Sequence, residues 1–295
     1  MLLLTGATGT IGLPLLRRLT AAGTPVRCLV RDPRRLGAER VRVQIALGEL
    51  GNPTSFRHAL RGVDTVVHLA AAIRDQPGGS IEELTGGATW RLVQAAERAG
   101  VERFVFFSTL SASAEGPARL MRAKALAEQA VAGSSLSHTI FAPGFVYSPG
   151  DPFLRILERL SLLPLMPVAG PGRAPFQPIW AEDVAECVIA ALPEGAAADH
   201  SHGARFELAG PEVLTYDEIV RVALRSFGRS RPIVHVRLGL VRRMLKLLEL
   251  MLGPAAFATW DEVELLEVPL IASRGAADAE ALGVSPRRMA AVLGG

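Results

Sequence analysis

A glycine-rich turn between an apolar segment and a helix constrains this chain more than any other feature. Residues 5–12 read Thr-Gly-Ala-Thr-Gly-Thr-Ile-Gly and follow the apolar residues 1–4. Gly6 permits the tight turn out of a strand, Gly9 lets the backbone approach a pyrophosphate, and Gly12 allows the helix to pack closely. The first amides of the helix carry a partial positive charge that favours phosphates. The turn therefore predicts a dinucleotide site; the alternative is a structural turn that binds no ligand.

Alternation of strands and helices over the first 140 residues predicts the architecture around this turn. Strands are predicted at 1–4, 26–30, 41–45, 64–70, 104–107 and 137–141, and helices at 13–22, 53–61, 89–99 and 119–131. Strands that alternate with helices form a parallel sheet covered on both faces. The predicted fold class is therefore α/β, a doubly wound parallel sheet of the Rossmann type.

The pattern changes after residue 143. Seven prolines between residues 149 and 178 indicate loops and short helices. They are followed by a predicted strand at 205–208 and predicted helices at 181–191, 215–227 and 238–252. We therefore expect two domains. The Rossmann-type domain comprises 1–145 with parts of 175–210, and a smaller, partly interleaved α/β cap comprises 146–295.

Composition excludes several classes of function. The formal net charge is only +3 and basic residues do not cluster with aromatic ones, so no nucleic-acid partner is expected. The two cysteines, Cys28 and Cys187, lie far apart and predict neither a disulfide scaffold nor a thiolate metal site. We expect no targeting segment and no apolar run of about 18 residues that could span a membrane, which favours a cytoplasmic protein.

Several segments resemble the short-chain dehydrogenase/reductase superfamily, above all its extended and atypical branches. The glycine turn matches their nucleotide-binding turn, and further matches follow in the same order along the chain. They are Gly48-Glu49-Leu50, His68-Leu69-Ala70-Ala71, the strand at 103–109, Pro143-Gly144, and the segments 146–151, 177–185 and 206–215. Within these branches the chain resembles the atypical subgroup that contains the NADPH-carrying accessory subunit of respiratory complex I, and NmrA-type sensors and epimerase-dehydratases are neighbouring groups.

This resemblance implies a set of residues that hold an NAD(P) cofactor. Glu49 and Leu50 stand where relatives contact the adenine, and the residues after His68 stand where relatives line the cofactor cleft. The full set comprises Gly6, Thr8, Gly9, Thr10, Ile11, Gly12, Arg31, Glu49, Leu50, Leu69, Ala70, Ala71, Ser108, Lys124, Pro143 and Gly144.

The choice of dinucleotide depends on the end of the second predicted strand. NAD-selective sites place an acidic residue there, about 20 residues past the glycines, to bind the ribose 2′-hydroxyl. Here Val30 occupies the position and Arg31 follows, with Arg34 and Arg35 close behind. A guanidinium pairs with a 2′-phosphate through charged hydrogen bonds. We therefore expect NADP(H) rather than NAD(H); the alternative is that Asp32 binds the hydroxyl.

The predicted helix at 119–131 departs from the family pattern. In the superfamily a Tyr-x-x-x-Lys pair on one helix face handles the proton while hydride is transferred. Lys124 falls on the lysine position and is one of only two lysines in the chain. Leu120 replaces the tyrosine and cannot transfer a proton. The usual mechanism is therefore absent. Lys124 is expected to hold the nicotinamide ribose; the alternative is a solvated helix lysine.

The candidate catalytic residues are Thr109, Lys124 and Tyr147. Thr109 matches the active-site Ser/Thr of the family, and Tyr147 is either a proton donor from a nearby loop or a packing residue. The first hypothesis is an oxidoreductase that uses NADP(H) to reduce a lipophilic carbonyl or quinone-like acceptor. The second is a non-catalytic NADP(H)-binding sensor or assembly partner. A nucleotide-sugar epimerase or dehydratase is disfavoured, because that chemistry uses the missing tyrosine.

Three further segments carry weaker signals. The apolar segment 153–168 is expected to cover the substrate pocket and favours a small lipophilic ligand. Residues 238–252 predict an amphipathic helix that is a core or pocket wall, a dimer contact, or a peripheral contact with a membrane surface. His200 and His202 follow Asp199 in a loop, and we expect no metal site there.

Overall fold

A computed structural model describes residues 1–253 and 258–294 and shows a seven-stranded parallel sheet. The strands are β1 (Leu2–Thr5), β2 (Val26–Val30), β3 (Gln44–Leu47), β4 (Thr65–His68), β5 (Arg103–Phe107), β6 (Ser137–Pro143), β7 (Val146–Tyr147), β8 (Met166–Ala169), β9 (Pro175–Phe176), β10 (Ile179–Trp180), β11 (Ala204–Leu208), β12 (Leu214–Thr215) and β13 (Ile233–Val236). The sheet order is β11-β6-β5-β4-β1-β2-β3, and every neighbouring pair is parallel.

Helices cover both faces of this sheet. The α-helices in the described ranges are α1 (Gly12–Ala21), α2 (Pro53–Phe56), α3 (Ala88–Ala99), α4 (Arg119–Ala132), α5 (Pro152–Leu160), α6 (Ala181–Ala191), α7 (Tyr216–Ser226), α8 (Leu238–Leu252), α9 (Trp260–Leu265), α10 (Ala277–Ala281) and α11 (Met289–Leu293). Leu4 packs with α1 and α6 on one face, and Leu3 packs with α3 and α4 on the other. A strand buried on both faces is mostly apolar, and β1 consists of three leucines followed by Thr5. The predicted doubly wound parallel sheet is confirmed.

Several predicted elements differ in extent from the observed ones by one or more residues at an end, among them three near the cleft. The strand predicted at 41–45 begins later, at β3, because 3₁₀ turns occupy Pro33–Val41. The helix predicted at 53–61 is α2 followed by a separate 3₁₀ turn at Arg57–Leu60. The strand predicted at 64–70 ends two residues early with β4. The residues after β4 leave the sheet and line a cleft.

The chain after β6 builds a second packing unit and also returns to the sheet. β13 pairs with β8 outside the large sheet, whereas β11 joins its edge beside β6. A third apolar cluster contains Leu157 of α5, Val168 of β8 and Ile219 of α7. The predicted domain boundary at residue 145 stays a prediction. Within the described residues, none of the helices combines the length and the hydropathy needed to cross a bilayer.

Candidate functional site

The glycine turn begins where β1 ends, and two of its glycines are sterically required. Gly6 has φ +73°, and a Cβ built there would lie 2.7 Å from the Ala70 amide nitrogen. A Cβ on Gly12 would collide with the Gly6 carbonyl oxygen and lie 2.8 Å from the Cα of Ala7. The Gly9 amide donates to the Gly6 carbonyl oxygen at 3.0 Å. The turn therefore packs so closely that no larger side chain fits at Gly6 or Gly12.

The first turn of α1 suits a pyrophosphate. No side chain in the described part of the protein caps this helix, and its first turn contains no carboxylate. The positive end of the helix dipole and its amides therefore face the turn without a competing anion. These features fit the phosphates of a dinucleotide.

The turn forms one wall of a cleft of about 710 Å³ that follows the carboxyl ends of β1, β2 and β4. In a doubly wound sheet, ligands bind at this edge. Nine residues predicted to hold the cofactor line the cleft: Gly6, Thr8, Gly9, Arg31, Glu49, Leu50, Leu69, Ala70 and Ala71. Residues 76–78 also line it and were not predicted, although a Pro-Gly pair there indicates a loop.

One end of the cleft carries two guanidinium groups and one carboxylate. Arg31, Asp32 and Arg35 line it, whereas Arg34 does not. Arg31 donates a hydrogen bond to the Gln76 side chain at 2.9 Å. The Asp32 carboxylate accepts from the Arg34 amide at 3.0 Å and thereby caps the turn that follows β2. One oxygen of the Asp32 carboxylate is therefore already hydrogen-bonded to the backbone, whereas the guanidinium groups of Arg31 and Arg35 can bind an anion.

The remaining predicted cofactor residues lie outside this cleft. Thr10 and Gly144 line a second cavity, and five residues line neither space: Ile11, Gly12, Ser108, Lys124 and Pro143. The Ser108 hydroxyl is buried and has no hydrogen-bond partner among the described residues. A direct role of these five residues in cofactor binding stays a prediction.

A buried chain of hydroxyl and imidazole groups lies under the cleft. The Thr5 hydroxyl is 2.6 Å from His68 Nδ1, and Thr89 Oγ1 is 3.0 Å from His68 Nε2. The Ala70 amide donates to Thr5 Oγ1 at 3.4 Å, and the Thr89 hydroxyl donates to the Thr85 carbonyl oxygen at 2.7 Å. Burial, reinforced by the charge of Lys124, lowers the pKa of His68 to about 3. His68 is thus a neutral link between β1, β4 and α3.

Lys124 is buried, which is inconsistent with a solvated helix lysine. Its side-chain Nζ donates to the Phe107 carbonyl oxygen at 2.5 Å and lies 5.0 Å from the centre of the Phe106 ring. Burial lowers the pKa of Lys124 to about 8. The amine therefore joins α4 to the end of β5, one residue before Ser108.

The second cavity is apolar and has a volume of about 660 Å³. Thr10 of the glycine turn, Thr109 after β5 and Leu120 at the beginning of α4 line it. The segment predicted to cover the substrate pocket supplies Phe153, Ile156, Leu157, Leu160, Pro167 and Val168. Helix α8 supplies Val241, Met244 and Leu245. The cavity is therefore enclosed by segments that are far apart in the sequence.

The charged groups of this cavity are acidic. Within the described residues, Asp151 and Glu262 line it and no arginine or lysine does. Asp151 caps α5 by accepting from the Leu154 amide at 2.7 Å, and burial raises the pKa of this carboxyl. Glu262 accepts from the Thr259 amide at 3.0 Å and lies 3.5 Å from Arg74. The cavity thus suits a neutral ligand better than an anionic one.

Tyr147 lies outside the cavity. Its side chain is fully buried in the third apolar cluster, and its hydroxyl has no partner in the described ranges. Burial raises the pKa of Tyr147 far above its ordinary value. This position favours the packing role over proton donation.

An ion cluster around Arg119 links the segment after β4 to α4 and α9 and was not predicted. The Arg119 guanidinium lies 2.9 Å from Asp75, 2.7 Å from Glu82 and 3.7 Å from Asp261 of α9. Hydrogen bonds from Arg119 lower the pKa of Glu82 to about 2. Arg119 precedes Leu120, so the cluster fixes the beginning of α4 at the cavity. No local pattern indicates partners so distant in sequence.

The two histidines near residue 200 do not form a metal site with other described residues. No group of three His, Cys, Asp or Glu side chains suited to a metal occurs in residues 1–253 and 258–294. His202 instead lies 3.0 Å from Arg103 and is hydrogen-bonded to Ser137.

Comparison with known proteins agrees with this geometry. A family model described as NAD(P)H-binding matches residues 6–194. The chain is 30% identical over 232 residues to NADH dehydrogenase (ubiquinone) 1 alpha subcomplex subunit 9 of Arabidopsis thaliana, which covers 74% of this chain but only 55% of that protein. It is also 30% identical over 241 residues to the NAD(P)H azoreductase of Xenophilus azovorans, covering 81% of this chain and 78% of that enzyme.

A solved structure shows the same fold over the whole chain. The UDP-glucuronic acid 4-epimerase of Bacillus cereus, solved with UDP-glucuronic acid and NAD, gives a TM-score of 0.75 at 17% identity. The match covers 99% of this chain and 96% of that one. The family match includes the glycine turn and most of the sheet. The chain therefore belongs to the NAD(P)H-binding family within the atypical short-chain dehydrogenases/reductases.

Proposed function

We propose that the protein uses NADP(H) to reduce a small lipophilic carbonyl or quinone-like acceptor without a tyrosine proton donor. The observation that carries this proposal is the junction between the polar cleft and the apolar cavity. Gly9 lines the cleft, and the next residue, Thr10, lines the cavity. Likewise, Ala72 lines the cleft and Ile73 lines the cavity. NADPH, when bound, supplies the hydride.

The preference for NADP(H) rests on Arg31 and Arg35. Their guanidinium groups line one end of the cleft, where charged hydrogen bonds to a 2′-phosphate would form. The nearby Asp32 carboxylate already accepts from a backbone amide, which makes it a weaker ligand for a ribose hydroxyl. The amides of α1 and the glycine turn do not discriminate between the two dinucleotides, since they donate hydrogen bonds to the pyrophosphate that both contain.

Thr109 and Leu120, which both line the cavity, have different roles. The Thr109 hydroxyl is a hydrogen-bond donor for an oxygen or nitrogen of the acceptor. Leu120 excludes water and supplies no proton. This pair suits acceptors such as quinones, which accept the hydride to give a stabilised anion that takes its proton from solvent after it leaves the cavity. The likeness to an enzyme named NAD(P)H azoreductase supports an acceptor of this general kind.

The cavity disfavours a nucleotide-sugar substrate despite the epimerase-like fold. A diphosphate needs cationic or amide donors. Asp151 and Glu262 are the charged lining groups, and no arginine or lysine in the described ranges lines the cavity. An anionic substrate would therefore be repelled.

The test is NADPH oxidation by the purified protein with a panel of quinones, azo dyes and lipophilic aldehydes. Thr109→Val should lower turnover about tenfold, whereas Thr109→Ser keeps the hydroxyl and should retain most of it. Leu120→Tyr should increase aldehyde reduction, because it restores a donor one helical turn from Lys124. Turnover that is equal in Thr109→Val and wild type would contradict the role of Thr109.

The second candidate function is a sensor or assembly partner that binds NADP(H) without turnover. Leu120 in place of the tyrosine favours it, as does the likeness to a named subunit of NADH dehydrogenase. NADPH binding, shown by fluorescence titration, with no oxidation of NADPH by any acceptor would support this candidate and overturn the reductase.

A further inference from the structure

Helix α8 presents large apolar side chains to solvent. The residues Leu240, Met244, Leu247, Leu250 and Met251, here named the α8 stripe, are between 53% and 83% exposed. Four of them recur at i, i+4, i+7 and i+11, which places them along one face of the helix. A helix of a globular protein normally turns such a face to the core. A contiguous exposed apolar face therefore indicates an interaction surface.

Basic residues border this stripe. Arg243 and Lys246 are exposed, and Arg237 immediately precedes the helix. Arg242 lies on the opposite side of α8, 5.3 Å from the centre of the Trp260 ring. At 100° per residue, Arg243 and Lys246 lie on the side of the stripe away from the buried Leu245. The single acidic residue of α8, Glu249, accepts a hydrogen bond from the Trp260 amide at 3.1 Å. The exposed surface of α8 thus combines apolar side chains with cations.

The stripe is continuous with the mouth of the apolar cavity. Met244 belongs to both, since its side chain lines the cavity and is 60% exposed. Val241 and Leu245 of the same helix also line the cavity. Helix α8 therefore separates the cavity from solvent, and an apolar molecule that leaves the cavity beside Met244 reaches an apolar surface.

We propose that α8 lies on the surface of an anionic lipid bilayer and that lipophilic substrate enters the cavity from that bilayer. A helix with an apolar face and Lys/Arg at its border lies in the headgroup region, where anionic lipids attract its cations. A second copy of the chain fits less well, because an antiparallel two-fold contact would bring the cations of both α8 helices to the same edge. The proposed contact between α8 and the bilayer is argued from α8 alone and does not depend on the proposed function. Only the route by which substrate enters the cavity rests on the proposed function.

The experiment is cosedimentation of the full-length protein with phosphatidylcholine vesicles that contain or lack phosphatidylglycerol. We expect stronger binding to the anionic vesicles and weaker binding as salt increases. The double variant Leu247→Glu/Met251→Glu and the charge-reversal variant Arg243→Glu/Lys246→Glu should each lose at least about tenfold in partition coefficient. Val41→Glu is the matched control, since Val41 is 81% exposed but lies far along the chain in the turn before β3.

NADPH titration of each variant verifies folding, because neither pair of residues lines the cleft or the cavity. Equal vesicle binding by wild type and the stripe variant would overturn the proposal, as would no binding by wild type. A dimer that becomes a monomer only in the stripe variant would assign the surface to a second copy instead. Vesicle binding without any turnover would rule out the reductase function and the substrate route but would still support the docking of α8 on the bilayer. Turnover without vesicle binding would keep the reductase function but rule out both the docking and the substrate route.

Discussion

The cleft and the cavity lie side by side but are built on different principles. The cleft is formed largely by backbone, at a glycine turn whose close packing against Ala70 leaves no room for side chains at Gly6. The cavity is formed by side chains from α4, α5, α8 and α9 and the loops between them. Backbone geometry preserves recognition of a common cofactor, whereas side-chain packing sets which second molecule fits.

The sharpest test of this difference is Gly6→Ala against Gly23→Ala. Both glycines have φ +73°, so both variants carry the same left-handed strain of about 1–2 kcal/mol. Only at Gly6 does the new Cβ meet backbone, whereas nothing lies within 4 Å of a Cβ at Gly23. We expect Gly6→Ala to weaken NADPH binding by at least about 100-fold and Gly23→Ala to leave it unchanged. Fluorescence titration measures both; equal affinities would break the argument that the turn is sterically closed.

A carboxylate placed in the cavity should separate the two regions functionally. Ile156→Asp introduces a charge among apolar walls and should raise the KM of a lipophilic acceptor about 30-fold. The Kd for NADPH should not change. Leu162→Asp is the control, because Leu162 is 67% exposed and does not line the cavity. A loss of NADPH affinity in Ile156→Asp alone would show that the two spaces are one site.

Arg31→Ala should have a moderate effect confined to one end of the cleft. Loss of a charged hydrogen bond to a 2′-phosphate should weaken NADPH binding about tenfold while NADH binding stays the same. Arg34→Ala is the matched control, since Arg34 is a neighbour that does not line the cleft. Parallel titrations with the two nucleotides measure the ratio. Equal losses for both would favour the interpretation in which Asp32 binds a ribose hydroxyl.

The buried amine of Lys124 should affect stability rather than binding. Because burial lowers the pKa of Lys124 to about 8, the unfolded chain binds the extra proton between pH 8 and the ordinary lysine value. The contribution of Lys124 to the free energy of unfolding should therefore rise with pH over that window, by at most about 1.4 kcal/mol per pH unit. Burial raises the pKa of the Cys28 and Cys187 thiols to about 12, and above the ordinary thiol pKa this contributes in the opposite direction. Urea unfolding at several pH values should give a more positive slope in wild type and Lys246→Met than in Lys124→Met, because this comparison cancels the contribution of the thiols. The same slope in all three proteins would contradict the burial of the amine.

The sequence predicted best what depends on local backbone. The glycine turn is recognisable because its strand, tight turn and helix lie within about 20 residues. The strand limits at β2 and the helix limits at α6 and α8 agree with the prediction for similar reasons. The 3₁₀ turns before β3 were missed because Asp32 caps them through a side-chain contact that leaves no hydropathy pattern.

Long-range side-chain contacts could not be predicted in the same way. Arg119 looked like an ordinary residue at a helix start, yet its partners Asp75, Glu82 and Asp261 come from two separate segments. Tyr147 matched a family motif, but the motif does not specify whether its hydroxyl faces the cavity or the core. The Arg119 contacts and the position of the Tyr147 hydroxyl both depend on how distant elements pack against each other. Local patterns in a single sequence do not indicate this packing.

The hydrogen bonds among the buried residues under the cleft have a fixed order of donors and acceptors. The Thr89 hydroxyl gives its proton to the Thr85 carbonyl oxygen, so it accepts from His68 Nε2. His68 Nδ1 must then receive the proton of the Thr5 hydroxyl, whose oxygen in turn accepts from the Ala70 amide. Only one imidazole tautomer satisfies this order. The floor of the cleft therefore has a single arrangement of its hydrogens, and a dinucleotide that settles above it requires no rearrangement there.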